Sequence, residues 1–191
     1  DSDRVTLGVD ILIGNRMKHK IAELAADWFI KNERRSCFSI FDDDIMTDGS
    51  WDDLLLDRPR LHTRAFLKVQ DGCSHFCSYC IVPYVRGNPV SRDVDEALAE
   101  AEKIVHSGCP EIVLTGVHLG LHEDLPLLVR KIGSIKGLKR LRFGSIEPFA
   151  VDKRLLESIA ETETFCRHLH LPLQSGDDGV LAAMRRGYTT K

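Results

Sequence analysis

Three cysteines in one short stretch are the residues of this sequence best suited to chemistry. Cys73, Cys77 and Cys80 lie within eight residues, separated by three and then two other residues. Cysteine thiolates are the usual ligands of iron–sulfur clusters. A [4Fe–4S] cluster needs four ligands and this stretch offers three, so one iron is left to bind another molecule. The spacing therefore predicts a cluster that takes part in a reaction.

Zinc and disulfide bonds are the alternative uses of neighbouring cysteines. Structural zinc usually has four ligands, often in paired C-x2-C knuckles, and the one further candidate here is His75, inside the loop. Disulfides belong mostly to oxidising compartments. The remaining cysteines, Cys37, Cys109 and Cys166, stand alone, which is typical of small buried side chains. This usage favours the reducing cytoplasm as the location.

The cysteine loop follows a predicted strand, and strands alternate with helices from there onward. Alternating polarity predicts strand 64–70 directly before the loop. Further strands are predicted at 111–115, 138–143 and 166–173, and helices at 93–107, 125–135, 153–160 and 180–186. Such alternation indicates parallel βαβ units. We expect an α/β fold whose site lies at the carboxyl ends of the parallel strands, where α/β barrels place theirs.

Polar candidates follow each of the later predicted strands. Thr115 and Gly116 end the second strand, and a glycine there allows a ligand to approach the backbone. Ser145 and Glu147 follow the third strand, where a carboxylate suits a pair of ribose hydroxyls. Gln174 follows the fourth strand and offers both a donor and an acceptor. An ordinary turn remains an alternative explanation for Thr115 and Gly116.

Histidines and arginines near these strand ends are weaker candidates. His168 and His170 lie two apart on the last predicted strand, so they share a face and either pack or line the site. Four arginines could pair with a carboxylate or a phosphate. They are Arg86, Arg92, Arg185 and Arg186.

The cysteine stretch and its downstream motifs resemble one enzyme family. C-x3-C-x2-C with an aromatic residue, Tyr79, before the last cysteine resembles the signature of the radical S-adenosylmethionine (SAM) enzymes. The run "FLKVQDGCSHFCSYCIVPYVRG", followed by "TGVHLG", "GSIEP", "RHLHLPLQSG" and "MRRGYT", is similar to the methylthiotransferase branch. The resemblance implies a TIM-like barrel of six strands, of which this chain offers four.

The resemblance also implies roles for the candidate residues. Cys73, Cys77 and Cys80 would hold the cluster, and SAM would chelate the open iron through its amino and carboxylate groups. Reduction would then split SAM into methionine and a 5′-deoxyadenosyl radical. SAM-binding positions would be Tyr79, Thr115, Gly116, Ser145, Glu147 and Gln174.

The sequence before the barrel divides into two further parts. Residues 1–35 read as strand, loop and helix, with Asn15 as the predicted helix cap, and "GVDILIGNRMKHKI" resembles the end of the methylthiotransferases' amino-terminal domain. In that family the domain binds a second [4Fe–4S] cluster through three cysteines that this sequence lacks, so we expect a fragment. Residues 36–60, rich in aspartate, are predicted to be a linker. Residues 61–191 form the predicted radical SAM core.

Composition limits the partners. The formal net charge of -3 gives no overall attraction for nucleic acid, and no apolar run reaches membrane-spanning length. The resemblance nevertheless implies tRNA as substrate and a flavodoxin- or ferredoxin-like protein as reductant. "TGVHLG" with "SIEP" looks most like the branch that modifies N6-threonylcarbamoyladenosine beside the anticodon.

Other functions remain open at this point. Within the branch, the alternatives are isopentenyladenosine in tRNA and an aspartate of a ribosomal protein. Outside it, they are a radical SAM enzyme of other chemistry and a non-catalytic metal-binding fragment. No catalytic residue beyond the cluster ligands is assigned.

Overall fold

The computed structural model describes residues 11–31, 39–41, 51 and 63–191. Within these ranges the chain is a mixed α/β protein with one four-stranded and one two-stranded sheet. The predicted α/β class is confirmed. The helices of the described ranges are too short or too polar to traverse a lipid bilayer.

A small strand–helix unit forms the amino-terminal part. Strand β1 (Ile11–Ile13) leads through a 3-10 turn (Asn15–Lys20) into helix α1 (Ile21–Lys31). The predicted cap was wrong, because Asn15 is already the first residue of the 3-10 turn and Gly14 precedes it without a side-chain cap. Strand β2 (Ser39–Phe41) pairs in parallel with β1.

Strand β2 lies inside the range predicted to be a linker. The pattern of aspartates does not reveal it, because three residues, Ser-Ile-Phe, are too few to show strand periodicity. Apart from β2 and Trp51, residues 36–60 lie outside the described residues. The three-part division of the chain stays a prediction.

The main sheet carries the cysteine loop. Its strands are β3 (Ala65–Asp71), β4 (Val90–Ser91), β5 (Glu111–Gly116) and β6 (Arg140–Phe143), in the order β4-β3-β5-β6. Strands β3, β5 and β6 are parallel, and β4 pairs antiparallel at the edge beside β3. Parallel neighbours bring the carboxyl ends of β3, β5 and β6 to one edge.

Helices connect the strands and cover the sheet. They are α2 (Val82–Arg86), α3 (Val94–His106), α4 (Leu125–Gly133), α5 (Lys153–Glu161) and α6 (Asp178–Ala183). Aspartates cap three of them: the side chains of Asp93, Asp152 and Asp177 accept backbone N–H groups at the starts of α3, α5 and α6. The core joins fully buried residues of α3, α4 and β5, including Ile104, Leu128 and Leu114.

The prediction of a strand at 166–173 was wrong. One parallel bridge, Leu141 with Phe165, starts a pairing with β6, and the Cys166 N–H donates to the Leu141 carbonyl. The His168 N–H instead donates to the Cys166 carbonyl of its own segment at 2.7 Å, so the pairing with β6 does not continue. The segment is extended and alternates in polarity, so the sequence pattern could not distinguish it from a strand.

The last predicted helix begins and ends earlier than expected, and its end matters for the site. Helix α6 stops at Ala183 instead of continuing to residue 186. Arg185 adopts a left-handed φ of 57°, and the Arg186 N–H donates back to the Leu181 carbonyl. This is the hydrogen bond of a Schellman-type helix end. It turns the Arg186 side chain toward the cysteine loop.

Candidate active site at the carboxyl ends of the strands

The cysteine loop begins where β3 ends, at a position that requires glycine. Gly72 has a φ of 71°, and a Cβ there would lie 2.0 Å from the Asn88 carbonyl oxygen. The chain passes so close because the Cys73 N–H donates to the Gly87 carbonyl at 3.0 Å. The carboxylate of Asp71 accepts the Gly72 N–H and pairs with Arg86 at 3.1 Å. The start of the loop is therefore fixed against the segment after α2.

The three cysteines of the loop are free thiols that lie half-buried and near one another. The Cys80 N–H donates to the Cys77 carbonyl at 2.9 Å, which closes a tight turn between these two. Burial raises the pKa of Cys73, and the neighbouring Cys77 and Cys80 raise it further. Three thiolates at this place would repel one another, so their charge calls for a bound cation.

The donor set suits a cluster better than one ion. Within the described ranges, no three histidine, cysteine or acidic side chains surround a point as they would around a single metal ion. A four-iron cluster places each ligand sulfur on a separate iron, so its ligands need not converge on one point. Three thiols spread along a loop meet that requirement. The residues present therefore fit an iron–sulfur cluster with one iron not ligated by the loop.

Arg186 connects the cysteine loop to the end of β6. Its guanidinium is 6% exposed; it pairs with Glu147 and donates to the Cys77 sulfur at 3.3 Å and the Tyr79 hydroxyl at 3.4 Å. It also approaches the Tyr188 hydroxyl at 3.3 Å. Burial opposes its charge, but hydrogen bonds to Tyr188 and Cys77 and the charge of Glu147 hold the pKa of Arg186 above its ordinary value. The site thus contains a fixed cation beside the thiols.

Gln70 ties the cysteine loop to the loop after β5. Its side chain is fully buried; the amide nitrogen donates to the carbonyls of Asp71 and Gly72, and the amide oxygen accepts the His118 N–H at 2.7 Å. Gly116 packs against it, since a Cβ at Gly116 would lie 2.8 Å from the Gln70 Cβ. Packing against Gln70 is therefore one physical reason for the glycine predicted as a SAM contact.

The predicted site residues are brought together only in part. Tyr79 and Glu147 meet through Arg186, beside Cys77. Ser145 lies at the same end of the sheet, where its hydroxyl is 2.7 Å from His170 Nδ1. Thr115 is partly buried on β5, close to Gly144 of the next strand end.

The last strand-end candidate and the two histidines lie more openly. Gln174 is exposed with a left-handed φ of 66°, on a segment whose Leu173 carbonyl accepts the Tyr188 hydroxyl at 2.9 Å. His168 and His170 are both exposed. Their role in the site stays a prediction.

The arginine candidates separate clearly. Arg92 forms a buried pair with Glu100 at 2.6 Å, which is a contact of the fold. Arg86 pairs with Asp71 under the loop, and Arg185 is exposed. Of the four, Arg186 is the one that donates a hydrogen bond to Cys77 of the loop. Sequence reasoning could not single it out, because the turn after α6 decides where it points.

An aromatic group beside the loop was missed altogether by sequence reasoning. His75 of the loop stacks on His118, with ring centroids 4.7 Å apart and planes 14° apart. Phe149 contacts both rings, at 4.8 and 5.5 Å, and Tyr188 lies 5.8 Å from Phe149. These four residues are called the aromatic cluster below. They come from four separate segments, so no sequence spacing could reveal them.

A separate groove lies away from these residues. It has a volume of about 680 Å³ between α5 and the extended segment 165–169, and includes Leu156, Phe165 and Leu169. Of the candidates named from the sequence, His168 lines it, whereas the cysteines of the loop and the strand-end residues do not. The groove is therefore separate from the cysteine loop.

Comparison with known proteins decides the family. A model of the radical SAM superfamily matches residues 67–191, which include all three cysteines of the loop. The chain belongs to the radical SAM superfamily. The resemblance inferred from the cysteine spacing is confirmed.

Relatives of this radical SAM chain include tRNA-modifying enzymes of two kinds. A tRNA-2-methylthio-N(6)-dimethylallyladenosine synthase of Legionella pneumophila (strain Paris) is 36% identical over 95% of this chain and 41% of its own length. A threonylcarbamoyladenosine tRNA methylthiotransferase of Bacillus subtilis (strain 168) is 35% identical over the same shares. The chain thus spans about two fifths of the length of these curated relatives.

A solved structure supports the fold. The radical SAM methyltransferase TsrM of Kitasatospora setae superimposes with a TM-score of 0.56 over 66% of this chain and 25% of its own. Sequence identity is 19%. The α/β fold with a partial, open (β/α), TIM-like barrel, implied by the family resemblance, agrees with this likeness.

Proposed function

We propose that this radical SAM chain is the core of a methylthiotransferase that modifies an adenosine of tRNA, with Cys73, Cys77 and Cys80 holding a [4Fe–4S] cluster. The observation that carries the proposal is the cysteine loop at a strand end, combined with similarity over 95% of the chain to methylthiotransferases of tRNA. The cluster and SAM supply a one-electron cleavage that makes an unreactive C–H bond available for substitution. A second cluster is expected in a full-length relative.

The protein's own contribution is to bind and orient. We assign Arg186 to the carboxylate of SAM, because its buried guanidinium lies beside the Cys77 sulfur and at the same strand ends. Glu147 has two carboxylate oxygens; Arg186 binds Oε2, and we assign Oε1 to the ribose hydroxyls. Gln70 holds the loop start and the loop after β5 at a fixed separation. The remaining contacts to SAM are assigned to Tyr79, Thr115, Gly116, Ser145 and Gln174.

The substrate is proposed to be N6-threonylcarbamoyladenosine beside the anticodon. "TGVHLG" and "SIEP" favour this branch, while similarity to relatives of both kinds makes dimethylallyladenosine the alternative. We expect a flavodoxin- or ferredoxin-like reductant and, since tRNA is the substrate, a cytoplasmic location. Because the net charge is -3, any attraction for the RNA backbone must come from a local basic patch.

One experiment tests both levels of the proposal. The chain is reconstituted anaerobically with iron and sulfide, then given SAM, a reductant and tRNA carrying either modification. Mass spectrometry measures 5′-deoxyadenosine and methylthio adducts. We expect deoxyadenosine from the parent chain and none from Cys73→Ala, with any adduct on threonylcarbamoyladenosine. Iron and sulfide without deoxyadenosine would contradict the radical reaction, and adduct only on dimethylallyladenosine would contradict the substrate. Zinc in place of iron would overturn the cluster.

A further inference from the structure

A row of apolar side chains is exposed directly after the cysteine loop. Ile81 is 67% exposed, Tyr84 63% and Val85 45%. They lie at positions i, i+3 and i+4 of helix α2 and its cap, so they share one face of the helix. Phe76, which follows His75 of the aromatic cluster in the chain, extends this face, because its ring contacts the Tyr84 ring at 5.5 Å between centroids. Phe76, Ile81, Tyr84 and Val85 are called the α2 patch below.

The α2 patch is held in one position relative to the cysteine loop. Pro83 of the same helix is buried, and its carbonyl accepts the Gly87 N–H at 3.0 Å. The Gly87 carbonyl in turn accepts the Cys73 N–H at 3.0 Å, and Arg86 at the end of the helix pairs with Asp71. A surface that is already ordered loses little conformational entropy when a partner binds. The patch is therefore a preformed surface.

The patch adjoins the residues proposed to hold the cluster. Phe76 directly precedes Cys77, and Ile81 directly follows Cys80. Consecutive Cα atoms are about 3.8 Å apart, so a partner seated on the patch comes close to both cysteines. Single apolar side chains are ordinary on a protein surface, whereas a contiguous group of them marks a contact with another molecule.

The surroundings of the patch are basic. Between residues 72 and 92 the sequence contains no aspartate or glutamate. Helix α2 contacts the 3-10 turn Asn15–Lys20, whose last turn carries Lys18, His19 and Lys20. His19 and Lys20 are exposed. A partner whose surface is negative around an apolar centre complements such a patch.

The aliphatic side chains of the patch favour a protein partner over RNA. RNA is bound through its phosphates and through bases that stack on aromatic rings, and Ile81 and Val85 offer neither contact. Protein interfaces combine an apolar centre that includes aromatic residues with a polar rim. The patch is small, and small interfaces are typical of the brief encounters between electron-transfer proteins.

We propose that the α2 patch is the docking surface for an acidic flavoprotein of the flavodoxin type, which gives one electron to the cluster. The methyl-bearing edge of a flavin is apolar and fits the patch, while acidic side chains around it face the basic turn. The flavin loses one electron and the cluster gains it, and no bond of this chain forms or breaks. This inference rests on the proposed function, because SAM cleavage by reduction is what requires the donor.

The first test measures binding of a purified, oxidised flavodoxin to the reconstituted chain by isothermal calorimetry, without SAM or tRNA. We expect the double variant Ile81→Ser/Val85→Ser to weaken binding about tenfold, the size typical of central interface residues. Lys20→Glu should weaken binding at low salt and less at high salt, since a charge at the rim acts through screened, long-range attraction. The matched control is Leu127→Ser on α4, because Leu127 is an apolar residue outside the patch with 43% exposure.

A second arm separates docking from the radical reaction. SAM cleavage is driven either by reduced flavodoxin at limiting concentration or by dithionite, a small reductant that needs no docking surface. The double variant should form 5′-deoxyadenosine as the parent does with dithionite and clearly less with flavodoxin. Its iron content should match that of the parent, because the substituted side chains are exposed. Val85→Ser alone, further along the chain from Cys80, should show a smaller loss of flavodoxin binding in the same direction.

The outcomes distinguish the docking surface from the proposed function. A parent chain that forms no deoxyadenosine with dithionite contradicts the radical reaction, and the binding titration still decides the docking surface. The docking surface is overturned if the parent does not bind flavodoxin, or if the double variant binds it as Leu127→Ser does. It is also overturned if the double variant loses affinity for tRNA and keeps it for flavodoxin, which would assign the patch to RNA. Binding of a ferredoxin but not of flavodoxin would contradict the flavin carrier.

Discussion

The two ends of the main sheet each contain a carboxylate paired with arginine, yet the pairs are built in opposite ways. At the amino-terminal end Glu111 is the buried partner, and Arg140, Arg64 and Arg142 approach it from outside at 2.6, 3.6 and 3.8 Å. At the carboxyl-terminal end the buried partner is the cation, Arg186.

The partners of each pair differ as well. The arginines around Glu111 are side chains of one sheet end, and they neutralise a single carboxylate. Arg186 instead contacts Glu147, Cys77 and Tyr79, which belong to two different loops, and lies near His118, whose ring nitrogens have no hydrogen-bond partner among the described residues. Several arginines around one carboxylate are typical of a contact that stabilises the fold, whereas a buried cation among thiols is typical of a binding site.

The largest expected effect separates cysteines at the two ends. Cys73→Ala should abolish the visible iron–sulfur absorbance after anaerobic reconstitution, because two thiols cannot hold the cluster. Cys109→Ala is the matched control: Cys109 is buried next to Glu111, at the other end of the sheet. It should keep full iron. Full iron in Cys73→Ala, or loss of iron in Cys109→Ala, would remove the distinction between the two ends.

Arginine removal should affect stability unequally. Arg186→Ala leaves Glu147 and its neighbours without a cation in a mostly buried place, so we expect a loss of roughly 3 kcal/mol in the free energy of unfolding. Arg140→Ala should cost clearly less, since Arg64 and Arg142 still face Glu111. Urea unfolding of the metal-free chains measures both. Equal losses would contradict the contrast between a carboxylate that several arginines share and one that depends on a single buried arginine.

Glutamate removal should separate ligand binding from folding. Glu147→Ala should weaken SAM binding to the reconstituted chain by about 1–3 kcal/mol, the size of a lost hydrogen bond to a charged group. Glu111→Gln should leave that affinity unchanged, since it lies at the opposite end of the strands. Calorimetry under anaerobic conditions is the measurement. Unchanged affinity in Glu147→Ala would exclude this carboxylate from the SAM site.

The two ends also differ in acid stability. The folded protein holds the pKa of His118 at about 4, mainly through burial, so the unfolded chain takes up this proton first as the pH falls below about 6.5. The contribution of neutral His118 to the free energy of unfolding is fully present above about pH 6.5 and is lost as the pH falls to about 4. The pKa of Glu111 is lowered chiefly by its hydrogen bond from Arg140, against an opposing effect of burial. The contribution of ionised Glu111 to the free energy of unfolding is therefore lost only when the pH falls below about 4.3, the ordinary pKa of a glutamate.

Melting curves between about pH 3 and 8 cover both pKa ranges. They test whether the contribution of His118 is lost before that of Glu111 as the pH falls. His118→Phe should lose less stability than the parent between about pH 6.5 and 4.5. Glu111→Gln should follow the parent there and diverge only at lower pH. A His118→Phe curve parallel to the parent throughout would show that His118 is not held neutral by the fold.

The sequence by itself determined the family, the fold class and the cysteine loop. The spacing of Cys73, Cys77 and Cys80 is local, so one short run shows it, and the match of residues 67–191 agrees. Strands β3, β5 and β6 and helices α3 and α4 follow from periodicity, because hydrophobic burial repeats along each element. Glu147 and Tyr79 could be named as candidates from the sequence because each lies within a recognisable motif.

Only the tertiary structure decided which side chains meet. Segment 166–173 alternates in polarity as a strand does, but its hydrogen bonding to β6 stops after Cys166. Hydrogen bonds to a neighbouring strand define a strand, and the polarity pattern does not show them. Arg186 reaches Cys77 across 109 positions of sequence through a left-handed turn at Arg185. His118 contacts His75, Phe149 and Gln70, each from another segment of the chain. Such contacts depend on the packing of distant segments, for which a single sequence carries no periodic signal.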